Sequence, residues 1–276
     1  MATWLITGCS TGLGRAFAEA VLARGENVVA TARDASTVAD LAEAHPDTAL
    51  ALALDVTDDD QVTAAVQAAE ERFGGVDVLV NNAGYGYRAA LEEGEDADVR
   101  QLFETHVFGM VRTAKAVLPG MRARRSGTIV NLSSIGARVA PEGSGYYAAV
   151  KAAVEALTLS LRKEVAPLGI TAMVVEPGGF RTDFAGRSLT QSSTPIADYA
   201  ETAGKRRKEN DTVHGTQAGD PAKAAAALIE AVESPNPPFM LLLGNDASDG
   251  FRTALHALLD EVDTWESLSR GTDFDA

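Results

Sequence analysis

Thr3-Trp4-Leu5-Ile6-Thr7-Gly8-Cys9-Ser10-Thr11-Gly12-Leu13-Gly14 is the stretch on which the reading of the fold turns. Its first five residues form a short apolar run bounded by a turn, the pattern of a strand buried on both faces. Three glycines follow, and from about residue 13 to 24 the apolar residues recur at helical spacing. A strand, a glycine loop and a helix in that order suit a phosphate. Glycine permits a tight turn and close backbone approach, and a helix N-terminus offers unpaired N–H groups and a positive dipole end. The spacing is Gly8-x-x-x-Gly12-x-Gly14, not the commoner Gly-x-Gly-x-x-Gly. At the start of an alternating chain it is expected to bind a dinucleotide; a purely structural turn is the plainer alternative.

The alternation continues outward from this stretch. Apolar runs at 28–32, 49–54, 76–80, 128–132, 171–175 and 239–243 read as strands. Helical patterns fall at 37–44, 58–73 with Asp58 as cap, 99–121 with a perturbation expected at Pro119, and 147–165. Asp220-Pro221 starts another helix, and 251–268 closes the chain. Continuous rather than alternating apolar strands imply a parallel sheet covered on both faces, so a doubly wound α/β fold is expected, as one domain over 1–276. Residues 178–219 break the rhythm. They are polar and contain Lys205-Arg206-Arg207-Lys208, expected to be a solvated helix face. Residues 185–219 are read as an inserted substrate loop and 246–276 as a helical extension.

Composition bounds the function. With 24 basic and 39 acidic residues the net charge is −15, which disfavours nucleic acid or an anionic membrane as partner. The one cysteine, Cys9, allows no internal disulfide, and His45, His106, His214 and His256 lack metal-ligand spacing. No apolar run reaches the roughly 18 residues that span a bilayer. The first strand begins almost at once, so no signal peptide is expected, and a cytoplasmic protein is the default reading.

Tyr147 and Lys151 stand four apart in Gly-Tyr-Tyr-Ala-Ala-Val-Lys and so share a helix face. An ammonium beside a phenol favours the phenolate, so Lys151 is expected to lower the Tyr147 pKa toward working pH and fit it for proton transfer. Tyr146 has Val150 four residues on and is excluded.

Thr7-Gly-x-x-x-Gly-x-Gly14, Asn81-Asn82-Ala83-Gly84, Ser134, Tyr147-x-x-x-Lys151 and Pro177-Gly178 together resemble the short-chain dehydrogenase/reductase family, in its order and spacing over about residues 3–245. The resemblance implies a Rossmann-type domain with a seven-stranded parallel sheet. It implies hydride transfer between a nicotinamide and a carbonyl or secondary alcohol, with Tyr147 as general acid or base. It further implies that Lys151 binds the nicotinamide ribose and that Ser134 holds the substrate oxygen. Ser133 is the adjacent rival, and because neighbouring strand residues face opposite sides only one can serve.

Cofactor contacts carried over are Gly8, Ser10, Thr11, Gly12, Leu13 and Gly14 in the loop, Asp55 and Val56 near the adenine, and Asn81, Ala83 and Gly84 along the cleft. Pro177 and Gly178 are further cofactor positions, and Thr182 resembles the contact to the carboxamide; Asn81 equally suits holding strands together. Where the family has an asparagine that holds a relay water, this chain has His106, a relay or a packed side chain. The second strand ends in Ala32-Arg33-Asp34. Arg33 favours NADP(H), whereas Asp34 is a rival pointing to NAD(H), or a turn cap. NADP(H) is preferred. Alternatives are an NAD-dependent dehydrogenase, a non-catalytic nucleotide-binding regulator, and the halohydrin dehalogenases, disfavoured by the intact glycines and Lys151. The family often forms homodimers or homotetramers, expected here too.

Overall fold

A computed structural model describes residues 1–186, 188–213 and 215–274, so His214 lies outside the described residues. Among the described residues nine strands form: β1 (Thr3–Ile6), β2 (Asn27–Ala32), β3 (Ala49–Ala53), β4 (Val78–Asn81), β5 (Gly86–Arg88), β6 (Gly127–Leu132), β7 (Ile170–Pro177), β8 (Leu189–Gln191) and β9 (Met240–Leu243). Seven of them make one sheet in the order β3-β2-β1-β4-β6-β7-β9, and every pairing in it is parallel. The chain enters at the centre, winds out to β3 and crosses back to β4. That reversal beside β1 opens a crevice at the carboxyl ends of the strands. The expected seven-stranded, doubly wound sheet is what forms.

Every residue of β1, β2 and β4 is buried, which explains their continuous apolar character. Trp4 and Ile6 face α1 (Gly12–Ala23) and α9 (Pro221–Glu233), packing with Phe17, Val21 and Leu228. Leu5 points the opposite way, with Leu79 and Ile129, toward α3 (Asp59–Phe73), α5 (Gly109–Arg124) and α7 (Gly145–Val165). Asp58 and Asp220 cap their helices, accepting from Asp60 N at 3.0 Å and Ala222 N at 2.9 Å.

The long helix expected at 99–121 differs. It runs as α4 (Asp96–Phe103), a π turn at Glu104–Phe108, then α5 straight through Pro119. The irregularity therefore falls at His106, not at the proline.

The described residues of 178–219 are built into the fold. β8 pairs with β5, and α8 (Ala203–Val213) follows. Two carboxylates pin the segment. Glu95 accepts from Ser193 N at 2.8 Å and Thr194 Oγ1 at 3.1 Å, and Glu93 accepts from Ile196 N at 2.8 Å. The basic run is only half solvated. Lys205 and Lys208 are exposed, but Arg207 turns inward to the buried Glu93, whose carboxyl it holds down at about 2. After Gly244, α10 (Asn245–Arg270) begins six residues earlier than expected, and from Leu255 onward it is exposed.

Candidate active site

The glycine loop is a cradle that side chains would fill. Gly8 has φ +74°, and a Cβ on it would lie 2.9 Å from Ala83 Cα. A Cβ on Gly14 would overlap Asn82 Nδ2 and Gly8 O. Asn82 stitches the loop in place, donating to Thr7 O at 2.9 Å and Gly8 O at 3.1 Å. Thr7 Oγ1 in turn accepts from Asn82 N and Ala83 N, each at 3.0 Å. Helix α1 opens there with no side-chain cap from Thr11 and no acidic residue in its first turn. Its first N–H groups, with Ser10 and Thr11 half-buried beside them, are left for an anion. Thr182 arrives from across the crevice, 3.5 Å from where a Gly12 Cβ would stand. These residues fit a dinucleotide pyrophosphate.

At the next strand ends, Tyr147, Ser134, Lys151 and His106 come together. Ser134 Oγ accepts from Gly136 N at 3.0 Å and hydrogen-bonds toward Tyr147. Ser133 points the other way and donates to Glu155 at 2.6 Å, so of the two serines only Ser134 faces the tyrosine. Tyr146 is turned aside, its hydroxyl on Leu91 O at 2.6 Å. Lys151 Nζ donates to Leu132 O at 2.7 Å and lies 5.7 Å from the Tyr147 ring centre.

The expected lowering of the tyrosine is corrected here. Burial pushes Tyr147 up to about 12, opposed by Ser134 and by the charge of Arg88, and burial brings Lys151 down to about 7. Helical spacing puts the two side by side, but desolvation is the largest cause of each shift.

His106 is buried, its ring 5.9 Å from that of Tyr147 and perpendicular to it. Its Nε2 lies 2.8 Å from Tyr85 O and 3.1 Å from Tyr85 N, while Nδ1 has no partner. Burial and the charge of Lys151 hold it well below the usual histidine range, so it is neutral at pH 7. His106 and Lys151 line one cavity with Val56, Ala83, Asn81 and Leu132; at about 10 Å³ it has room for one water. Gly84 is there because a Cβ would overlap the His106 ring.

Other expected positions divide. The Asn81 side chain is consumed by structure, accepting from Thr113 at 2.6 Å and donating to Asn131 at 2.9 Å, so it ties α5, β4 and β6 together beneath the crevice. Asp55 accepts from Thr57 N at 2.9 Å and shapes the turn after β3. Leu13 packs on the core. Pro177 ends β7, and Gly178 N donates to Leu243 O at 2.9 Å. Asp34 is the turn cap, accepting from Ser36 N at 2.9 Å. Arg33 is exposed at the end of β2, without a hydrogen bond or ion pair among the described residues. Three residues at the site were missed: Asn82 inside a quoted motif, Phe184 with its ring 5.9 Å from that of Tyr147, and Arg88. A three-residue strand has too little periodicity to announce Arg88. Among the described residues no group of His, Cys, Asp or Glu side chains could hold a metal, and no helix is long and apolar enough to cross a membrane.

Residues 2–193 match the family described as short chain dehydrogenase. The chain is 39% identical over 267 residues to the oxidoreductase BOA17 of Botryotinia fuckeliana, covering 96% of this chain and 97% of the relative. It superimposes on the crystal structure of a short-chain dehydrogenase from Streptomyces avermitilis with TM-score 0.92 and 44% identity, covering 99% and 100% of the two chains. More distant solved relatives carry nicotinamide cofactors. One is an alcohol dehydrogenase from Thermococcus sibiricus complexed with 5-hydroxy-NADP (TM-score 0.72, 25% identity, 88% and 96% covered). Another is a 3-ketoacyl-(acyl-carrier-protein) reductase from Brucella melitensis with NADH (TM-score 0.70, 26% identity, 87% and 95% covered). With its glycine cradle, its seven-stranded sheet and this likeness along nearly its whole length, the chain belongs to the short-chain dehydrogenase/reductase family of oxidoreductases.

Proposed function

We propose that the protein is an NADP(H)-dependent carbonyl reductase or alcohol dehydrogenase, with Tyr147 as general acid and base. The observation that carries this is the convergence of Tyr147, Ser134 and Lys151 beside the glycine cradle. Gly8, Ser10, Thr11, Gly12 and Gly14 would hold the pyrophosphate, and Lys151 the nicotinamide ribose. When bound, the nicotinamide supplies hydride for reduction or accepts it for oxidation. The chain's own work is done on oxygen. Ser134 holds the substrate oxygen, and Tyr147 gives it a proton as negative charge develops there. With its pKa near 12 in the nucleotide-free chain, Tyr147 carries that proton throughout the neutral range, which favours its acting as an acid. Lys151 and His106, facing a water-sized cavity, form the route by which Tyr147 regains its proton. Residues 185–219 cover the substrate cleft. The enzyme acts in a reducing compartment, the cytoplasm, as a homodimer or homotetramer.

The test is NADPH oxidation across aldehydes, aliphatic ketones, keto-esters and steroid ketones. Tyr147→Phe is expected to lose about 10²-fold or more in kcat while NADPH titration by fluorescence is unchanged; near-normal turnover would sink the mechanism. Preference for NADPH is supported by unpaired Arg33 and by the engagement of Asp34 in its turn. Arg33→Ala is expected to cut kcat/KM with NADPH by about tenfold, as loss of one charged hydrogen bond implies, and to leave NADH nearly unaffected. Equal efficiency of the wild type with both nucleotides, or indifference to Arg33→Ala, would overturn the preference, and higher efficiency with NADH would give the assignment to NAD, the reading that Asp34 favours.

A further inference from the structure

The ribbon of β5 and β8 sets Gly86 and Arg88 on one face and Tyr87 on the other, as strand alternation requires. The face of Gly86 looks toward the site. A Cβ on it would stand 3.4 Å from Phe184 Cζ, and the Phe184 ring is 5.9 Å from that of Tyr147. Tyr87 turns instead to Tyr146, ring centres 6.1 Å apart, and to the core beneath. Arg88 therefore projects on the substrate side.

Arg88 is 8% exposed, and its Nε and Nη1 are buried without a hydrogen-bond partner. Two further orphaned groups belong to the segments that meet it: Arg206 Nε on α8, and Ser144 Oγ, which precedes α7 without capping it. Backbone contacts bring the three segments together. Ala89 N donates to Gly143 O at 3.0 Å, and a Cβ on Gly143 would lie 2.9 Å from Ala203 Cα. The acid within electrostatic reach of Arg88, Glu209, pairs with Arg206 Nη1 at 2.9 Å, and the charge of Arg206 itself opposes that of Arg88.

Arginines that only hold this fold together look different. Arg162 donates to Ala172 O at 2.9 Å, Pro238 O at 3.1 Å and Pro237 O at 2.8 Å, and Arg207 forks onto Glu93. Burying a guanidinium without such partners is strongly unfavourable unless something else meets it.

We propose that Arg88, with Arg206 and Ser144, forms a subsite for a carboxylate carried by the substrate, so that the enzyme acts on oxo acids or hydroxy acids. The proposal rests on the reductase reading above. A planar guanidinium matches a carboxylate with two parallel hydrogen bonds, and a buried site strengthens them. A small anion is also the kind that a chain of net charge −15 admits, since a local positive pocket outweighs the distant negative surface for it but not for a polyanion. The positive charge of Arg88 is felt at Tyr147, where it favours the phenolate.

The experiment compares 2-, 3-, 4- and 5-oxo acids with their methyl esters, using the wild type and Arg88→Gln with NADPH and NADH. At least one acid is expected to exceed its ester in kcat/KM by about tenfold or more, and Arg88→Gln to erase that ratio, as loss of a bidentate charged contact implies. Arg88→Lys should recover only part of it. Esters preferred throughout by the wild type, or a ratio unchanged in Arg88→Gln, overturn the subsite while leaving the reductase reading intact. If the wild type turns over neither series, the wider panel of aldehydes and ketones above judges the reductase reading. Calorimetric titration of levulinate and 5-oxohexanoate into both proteins then decides the subsite: binding lost in Arg88→Gln supports it, and no binding to the wild type overturns it. Thermal melts separate out a purely structural role, for which Arg88→Gln would melt well below the wild type, as Arg162→Gln is expected to do.

Discussion

Folding moves the Lys151 ammonium from an ordinary pKa of 10.5 to about 7, because burial penalises its charge. Between those values the unfolded chain holds a proton that the folded chain has released. Stability therefore rises with pH across that window, by up to about 1.4 kcal/mol per pH unit for one proton, and below pH 7 the full penalty of the buried cation remains. Glu176, raised to about 8 by burial and by Glu155, acts oppositely: the folded chain keeps its proton, so stability falls as pH climbs to 8. Cys9, raised to about 12 by burial from 9.0, opposes Lys151 only above pH 9. Between pH 8 and 9 Lys151 stands nearly alone. The nucleotide-free protein is expected to gain a few degrees in Tm across that unit, and Lys151→Met to melt higher and lose the gain. An equal gain in both proteins would show that Lys151 is not the source. The partnership of Tyr147 and Lys151 was legible as spacing because a helix repeats every 3.6 residues. Its electrostatics were not, because desolvation depends on β6 and on Leu132 O, which spacing does not reveal.

The π turn between α4 and α5 is the element whose irregularity bears on the site. One wider turn shifts the register of the helix face, and here it sets His106 against Tyr85, its Nδ1 unpartnered, in the lining of the cavity it shares with Lys151. Proline is the usual sequence sign of a disturbed helix, which is why Pro119 drew the expectation; a π turn has no residue signature of its own. The strand–helix alternation, by contrast, was readable because each strand is a continuous apolar run, whereas β5 and β8, three residues each, were invisible. If the turn serves proton return, His106→Ala should slow turnover by about tenfold or more, within the range of a single proton-transfer group, and leave NADPH affinity unchanged. His106→Asn should restore much of the rate by supplying a polar atom in the same slot. An unchanged rate and pH profile in His106→Ala would make the histidine a packed side chain.

Across the whole molecule, α10 stands apart from a sheet otherwise covered on both faces. Its first turns dock: Ala247 is buried, and Phe251 lies 5.5 Å from the Arg138 guanidinium in α6 (Gly136–Val139). Beyond that the helix keeps an apolar seam, Phe251, Leu255, Leu258, Val262 and Trp265, spaced alternately four and three apart, as in helices that pack lengthwise against another helix. Leu258, Val262 and Trp265 are 57%, 63% and 56% exposed, too much apolar area in one line for an ordinary free surface. A helix that pairs with its own copy needs only such a self-matching seam, so in the proposed homodimer or homotetramer a second chain would lie here. The seam lies outside the glycine cradle and the Tyr147 site, so breaking it tests assembly separately from chemistry. In sedimentation velocity the wild type is expected to run as a dimer or tetramer, and the double variant Leu258→Glu, Val262→Glu to fall to a smaller species with its melting curve retained. A wild type that sediments as a monomer, or a variant that sediments as the wild type does, would mean that α10 does not carry the assembly.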